Sequence, residues 1–136
     1  MRVRHIMTTS VIYTHPTVKL PTLSEIFISN VIHHLPVVDA ENNLVGILSD
    51  RDVDKALSPF LGSDQEREQD IATTELTAEH VMTPSPITVE QETRIDTASI
   101  LLLEHNFSCL PVTNEDGVLE GILSWKDILN FYVYAD

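Results

Sequence analysis

The chain is written twice. A shift of 75 residues places Met7-Thr8 on Met82-Thr83, Leu35-Pro36-Val37 on Leu110-Pro111-Val112, and Gly46-Ile47-Leu48-Ser49 on Gly121-Ile122-Leu123-Ser124. Asp52 falls on Asp127 with no gap. Over positions 7 to 57 the copies share 15 identities in 51 pairs, where ordinary composition would yield about 3 by chance. A duplication of this length restricts the chain to two equivalent supersecondary units, since whatever fold suits one copy must suit the other. Units so small bury too little apolar surface to stand alone, so they are expected to share a core.

Each copy has the same order of elements. A short apolar segment (Val11-Ile12; Ile87-Thr88-Val89) precedes apolar residues at helical spacing: Leu23, Ile26, Phe27 and Val31 in one copy, and Ile95, Ala98, Leu101 and Leu102 in the other. Thr22 and Thr97 stand where they would cap those helices. Two β-type runs follow, Leu35 to Val38 then Leu44 to Leu48, and Leu110 to Thr113 then Val118 to Leu123. Glu41-Asn42-Asn43 and Glu115-Asp116-Gly117 separate them as hairpin turns. A second helix begins near Asp50 or Trp125, with Asp52 and Asp127 in its first turn, where carboxylates suit the helix dipole. The unit is β-α-β-β-α, and the chain is α+β (α/β-type). Repeat 1 is assigned to residues 1–58, an acidic linker to 59–77 and repeat 2 to 78–136. From Asp64 to Glu79 the chain carries six carboxylates against Arg67 alone and reads as a solvated connector.

Composition narrows the function. Hydrophobic residues make up 43% and charged residues 21% of the 136, the balance of a globular chain. Asp and Glu number 21 against 8 Lys and Arg, a net charge of −13 that makes nucleic acid and anionic membrane surfaces poor partners. The single cysteine, Cys109, excludes an intrachain disulfide and a disulfide-stapled scaffold. The basic start Met1-Arg2-Val3-Arg4 has no apolar stretch behind it, and nowhere do 18 apolar residues run together, so a soluble cytoplasmic protein is expected.

The ordered set of Met-Thr, Leu-Pro-Val and Gly-Ile-Leu-Ser-x-x-Asp, present in duplicate over residues 3 to 58 and 78 to 134, resembles a pair of CBS (cystathionine β-synthase) domains. The resemblance implies that the two repeats pack through their sheets into one pseudo-two-fold module with two clefts, which in the family commonly hold AMP, ADP, ATP or S-adenosylmethionine, and that modules pair into dimers. Matching the family motif residue by residue makes Ser49 with Asp52, and Ser124 with Asp127, the ribose positions. By the same resemblance Ser85, Pro86 and Ile87 accompany Asp52, Ser10, Val11 and Ile12 accompany Asp127, and His33-His34 and Ser108-Cys109 lie at the cleft mouths.

Residue chemistry agrees with that placement. A carboxylate at a helix N-terminus accepts two hydrogen bonds from vicinal hydroxyls while helix amides face a phosphate. The same Ser-x-x-Asp spacing is also a capping box that needs no ligand. Gly46 and Gly121 interrupt strands, which suits close approach by a base or by the other repeat. His34 offers a hydrogen bond or, protonated, a charge for phosphate, whereas Cys109 at the matching position does not, so the clefts are expected to differ. Within the motifs only Arg51 and Lys126 are basic, so a triphosphate would need Mg²⁺, while cationic S-adenosylmethionine would be attracted. Trp125 is placed to stack on adenine or to form a surface or dimer contact.

The six histidines lack metal-ligand spacing, and no nucleophile elbow, phosphate loop or dinucleotide fingerprint occurs. No metal, no required cofactor and no enzymatic activity are expected, and Cys109 reads as a small buried residue. The expected protein is a regulatory sensor of an adenosyl ligand that forms a homodimer and signals to a protein partner. The alternative is a ligand-free dimerisation module built on the apolar segment Ile128 to Tyr134.

Overall fold

The computed structural model describes residues 1–134, as two compact units. Unit 1 comprises Met1–Val11, Glu41–Leu44 and residues 86–134; unit 2 comprises Ile12–Ala40 and Val45–Ser85. Each is α+β. Unit 2 holds helix α1 (Leu20–Asn30), strand β1 (His34–Val38), strand β2 (Leu44–Ser49) apart from its first residue, helix α2 (Asp50–Ala56), short helices α3 (Glu68–Ala72) and α4 (Ala78–Val81), and strand β3 (Thr83–Pro84). Unit 1 holds α5 (Ile95–His105), β4 (Cys109–Thr113), β5 (Leu119–Ser124) and α6 (Trp125–Tyr134). No helix of the described residues is long and apolar enough to cross a membrane.

The hairpins and second helices form where the sequence pattern places them. Leu110 opposite Leu123 and Val112 opposite Gly121 set the antiparallel register of β4 and β5. Three expectations are corrected. The helix caps are Lys19 and Arg94, three residues before Thr22 and Thr97. The helices start early because Leu20 and Ile95 are already buried as their first residues, and Pro21 suits the first turn. The leading apolar segments form no strand at Val11-Ile12; each contributes one parallel bridge instead, Thr14 to Val37 and Val89 to Val112. The acidic stretch is not wholly solvated, because α3 forms within it and Asp70 is buried, accepting hydrogen bonds from Ser58 Oγ at 2.6 Å and from the Arg67 amide at 2.8 Å.

The units do not coincide with the copies. The core of unit 2 gathers Leu20, Leu23, Phe27, Leu35, Val37, Leu48 and Val53 from copy 1, and closes with Ala78 from the segment leading copy 2. In unit 1, Val89, Leu102, Leu110, Leu123 and Ile128 of copy 2 close on Val3, which stands 75 positions before Ala78. Each copy lends its leading segment to the other's core. The backbone seals this exchange: Thr8 exchanges two hydrogen bonds with Ile122 at 2.9 and 3.0 Å, and Thr83 and Pro84 pair with Ile47 and Gly46.

Helices α1 and α5 end alike. Val31 and Asn106 are both left-handed, with φ of +52° and +56°, and the next amides reach back to Phe27 O and Leu102 O. That is a Schellman termination, natural for Asn and strained by about 1–2 kcal/mol for a β-branched side chain.

Candidate functional site

The repeated Gly-Ile-Leu-Ser strand runs into a helix with no intervening loop, so its serine becomes the cap and the aspartate three residues on enters the first turn. In unit 2, Ser49 Oγ accepts from the Asp52 amide at 3.2 Å while Asp52 Oδ2 accepts from the Ser49 amide at 2.8 Å. In unit 1, Ser124 Oγ and the Asp127 amide stand at 3.2 Å, and Asp127 Oδ2 accepts from the Ser124 amide at 2.9 Å. Both boxes are half-buried. The box engages one carboxylate oxygen, and a carboxylate has about four acceptor sites in all. Capping and hydroxyl binding are therefore compatible in one residue.

The glycines are explained by the exchanged segments. A Cβ on Gly121 would lie 2.9 Å from both Met7 Sδ and Thr8 O, and one on Gly46 would run into Met82 Sδ. What approaches these strands is the Met-Thr of the other copy. The same approach places Ser85 beside the first box's strand, its amide donating to Val45 O at 3.2 Å. Ser85 is left-handed at φ +47°, one of four non-glycine residues so described. Of the companion residues, Ser85 shares unit 2 with Ser49, Arg51, Asp52 and His34, whereas Ser10 and Val11 share unit 1 with Ser124, Lys126, Asp127 and Cys109. Ile12 belongs to unit 2, and Pro86 and Ile87 to unit 1.

The two units differ electrostatically at the residues before Leu-Pro-Val. Burial holds the half-buried His34 imidazole below its ordinary value, against the opposing pull of Asp50. At the matching position Cys109 is buried, and that burial pushes its thiol up to about 12. Burial thus disfavours the thiolate, the form that attacks as a nucleophile. Arg51 and Lys126 are exposed.

One pair escaped sequence reasoning. In both units the residue two before the strand's Leu accepts from the first amide of the following helix, Asp50 N to His33 O and Trp125 N to Ser108 O, each at 3.0 Å. In unit 2 the side chains join as well, His33 Nδ1 to Asp50 Oδ2 at 2.8 Å. That hydrogen bond holds the Asp50 carboxyl below its ordinary range. The signal available was the shared 75-residue offset of the two backbone ties, which places His33 beside Asp50 wherever Ser108 lies beside Trp125.

A family model, described as CBS domain, matches residues 3–59 and 78–134. The crystal structure of the CBS domain pair of protein MJ0100, in complex with 5′-methylthioadenosine and S-adenosyl-L-methionine, is 26% identical, with a TM-score of 0.81 over 100% of this chain and 98% of that one. The structure of CBSX2 from Arabidopsis thaliana in complex with AMP is 30% identical, with a TM-score of 0.82 over 97% of this chain and 96% of that one. A homoserine O-acetyltransferase of Methanococcus vannielii is 33% identical over 130 residues, which are 94% of this chain and 24% of that protein. The chain thus spans about a quarter of the first curated relatives it matches.

Proposed function

The chain belongs to the CBS domain family and carries two such domains in tandem; from that premise we propose that it is a regulatory module that binds an adenosyl ligand and transmits its occupancy to a protein partner. The observation that carries this reading is the twice-built Ser/Asp box, which leaves acceptor capacity for vicinal hydroxyls at a helix N-terminus. Ser49 with Asp52, and Ser124 with Asp127, are the proposed ribose residues. Ser85, Pro86 and Ile87 are proposed to line the first site, and Ser10, Val11 and Ile12 the second. His34 and Arg51 belong to the first site, and Cys109 and Lys126 to the second. Neighbours in complex with AMP, or with S-adenosylmethionine and methylthioadenosine, support the ligand class.

The ligand's charge follows from the field. A net charge of −13 opposes a triphosphate, which would need Mg²⁺, and favours AMP or the cationic S-adenosylmethionine. The difference between His34 and Cys109 makes the sites unequal, with phosphate better served beside His34. A ligand that prefers one arrangement of the module shifts it by its differential affinity, and the surface offered to the partner changes with it. The proposed module is non-catalytic and homodimeric. A second reading, a ligand-free dimerisation module, is favoured by the exposed apolar residues of α6.

Thermal unfolding against AMP, ADP, ATP with and without Mg²⁺, S-adenosylmethionine, adenosine and GTP tests the proposal. A true ligand at a hundred times its Kd stabilises by about 2.7 kcal/mol, a rise of several degrees. A cooperative transition unmoved by every compound would leave the dimerisation reading.

A further inference from the structure

We propose that a cleft in unit 1, between its leading segment, the start of α5 and the end of α6, takes a carboxylate from an acidic segment of the partner protein. The inference rests on the reading above for there being a partner, and it names that partner's chemistry. The cleft, of about 350 Å³, is lined by Arg2, Arg94 and Asp96 with the rings of Phe131 and Tyr132. An antiparallel bridge sets Arg2 directly opposite Arg94, a pairing of like charges that costs stability until an anion joins it. Arg94 gives Nε and Nη2 to Asp96 at 3.1 and 2.9 Å. Arg2 gives Nη1 to the Glu92 carbonyl at 3.3 Å, and among the described residues no carboxylate pairs with it. A guanidinium carries five N–H donors in a planar fork that matches a carboxylate, so the two arginines keep donors for a further one.

The other repeat shows what fits such a place. The 75-residue offset sets Lys19 at the position of Arg94 and Thr77 at that of Arg2, joined by the same kind of antiparallel bridge. The next amides are tied alike, Leu20 N to Leu76 O at 3.0 Å and Ile95 N to Met1 O at 3.3 Å. In unit 2 the acidic connector arrives here through a 3-10 turn, Thr73–Glu75, and Glu75 sets its carboxylate on Lys19 at 2.7 Å. Leu76, the next residue, packs against the core of that unit. In unit 1 Arg94 draws its carboxylate from Asp96 on its own helix, and Arg2, where unit 2 has Thr77, brings a second cation that no described carboxylate meets. Phe131 and Tyr132 stand for Ala56 and Leu57 and add ring faces that suit the apolar neighbours of an acidic side chain. The net charge of −13 does not forbid the contact. At physiological salt the Debye length of about 8 Å screens the remote carboxylates, whereas a docked one touches both guanidiniums.

Nuclear magnetic resonance titration of the full chain with an acetylated and amidated peptide of residues 68–75, which ends in Glu75, tests this, beside acetate and inorganic phosphate at matched ionic strength. The expected result is saturable shifts of the Arg2, Arg94 and Tyr132 amides. Binding should weaken about fivefold for Arg2→Gln, for Arg94→Gln and for the Glu75→Gln peptide, and stay unchanged for Lys55→Gln on α2. Circular dichroism melts report whether each variant folds, and the exposed Arg2 serves should Arg94→Gln, at the cap of α5, fail. Shifts that are absent, that centre on Lys19, or that neither arginine variant weakens overturn the assignment. Acetate or phosphate binding as tightly as the peptide would mean a site for any small anion and overturn the assignment to a protein segment. A chain that AMP or S-adenosylmethionine stabilises but that takes no peptide loses this assignment alone; one that responds to neither loses the sensor reading with it.

Discussion

Replacing the box aspartates with asparagine separates capping from ligand binding. Asp127 Oδ2 accepts from the Ser124 amide at 2.9 Å and Asp52 Oδ2 from the Ser49 amide at 2.8 Å. Asparagine keeps one oxygen for that bond, and the serine cap itself is untouched. What the helix loses is a negative charge at the positive end of its dipole, about 0.3–1 kcal/mol, or a few degrees in Tm. The ligand loses more. Two ribose hydroxyls donating to a carboxylate make charge-assisted bonds of about 1.5–3 kcal/mol each, and an amide NH₂ presents a donor where an acceptor is needed. A loss of at least about 3 kcal/mol corresponds to more than a hundredfold in Kd. Calorimetric titration of AMP and S-adenosylmethionine into Asp52→Asn and Asp127→Asn, beside melts of the ligand-free proteins, reads both quantities. Each variant should lose one site and keep its fold. Affinities within about threefold of wild type in both variants would refute the ribose assignment and leave the boxes as caps alone.

Three further outcomes are expected. Gly121→Ala forces a Cβ to within 2.9 Å of the Thr8 carbonyl and should lower stability by about 1–3 kcal/mol in denaturant titration; an unchanged midpoint would mean that the Met7-Thr8 segment does not close that strand. Val31→Gly relieves the left-handed valine that ends α1 and should raise stability by up to about 1 kcal/mol, an increase that a loss of stability would contradict. Because burial holds the folded His34 below its ordinary 6.5, the unfolded chain binds the proton that the folded one refuses: this group's stability is complete above about 6.5 and declines as the pH falls from there toward the folded value. Denaturant midpoints of His34→Gln between pH 5 and 7.5 should lose that part of the slope, and a slope equal to wild type would exclude His34 as its source.

Much of the architecture lies within reach of local pattern. The hairpins, the start of α2 at Asp50 and of α6 at Trp125, and the Ser/Asp boxes are all set by alternation, turn residues and caps spanning ten residues or fewer. The duplication reinforced each by stating it twice. The buried Cys109 followed from its place among Leu-Pro-Val. Errors arose where burial elsewhere outweighed local propensity: Thr22 and Thr97 are good caps, but buried Leu20 and Ile95 begin the helices before them. Asp70 looked solvated because its neighbours are charged, and only the return of Ser58 and the Arg67 amide gives its carboxylate partners.

The sequence by itself determined that two like units exist, in what order their elements run, and where a carboxylate meets a helix start. Only the tertiary structure decided which copy each leading segment completes. Met7-Thr8 and Met82-Thr83 are the same two residues, facing two strands that share Gly-Ile-Leu-Ser, so nothing in the local sequence distinguishes pairing within a copy from pairing across copies. The exchange is settled by long-range burial, Val3 and Ala78 each filling a core 75 residues from its own, and by glycines that admit a methionine where any side chain would collide.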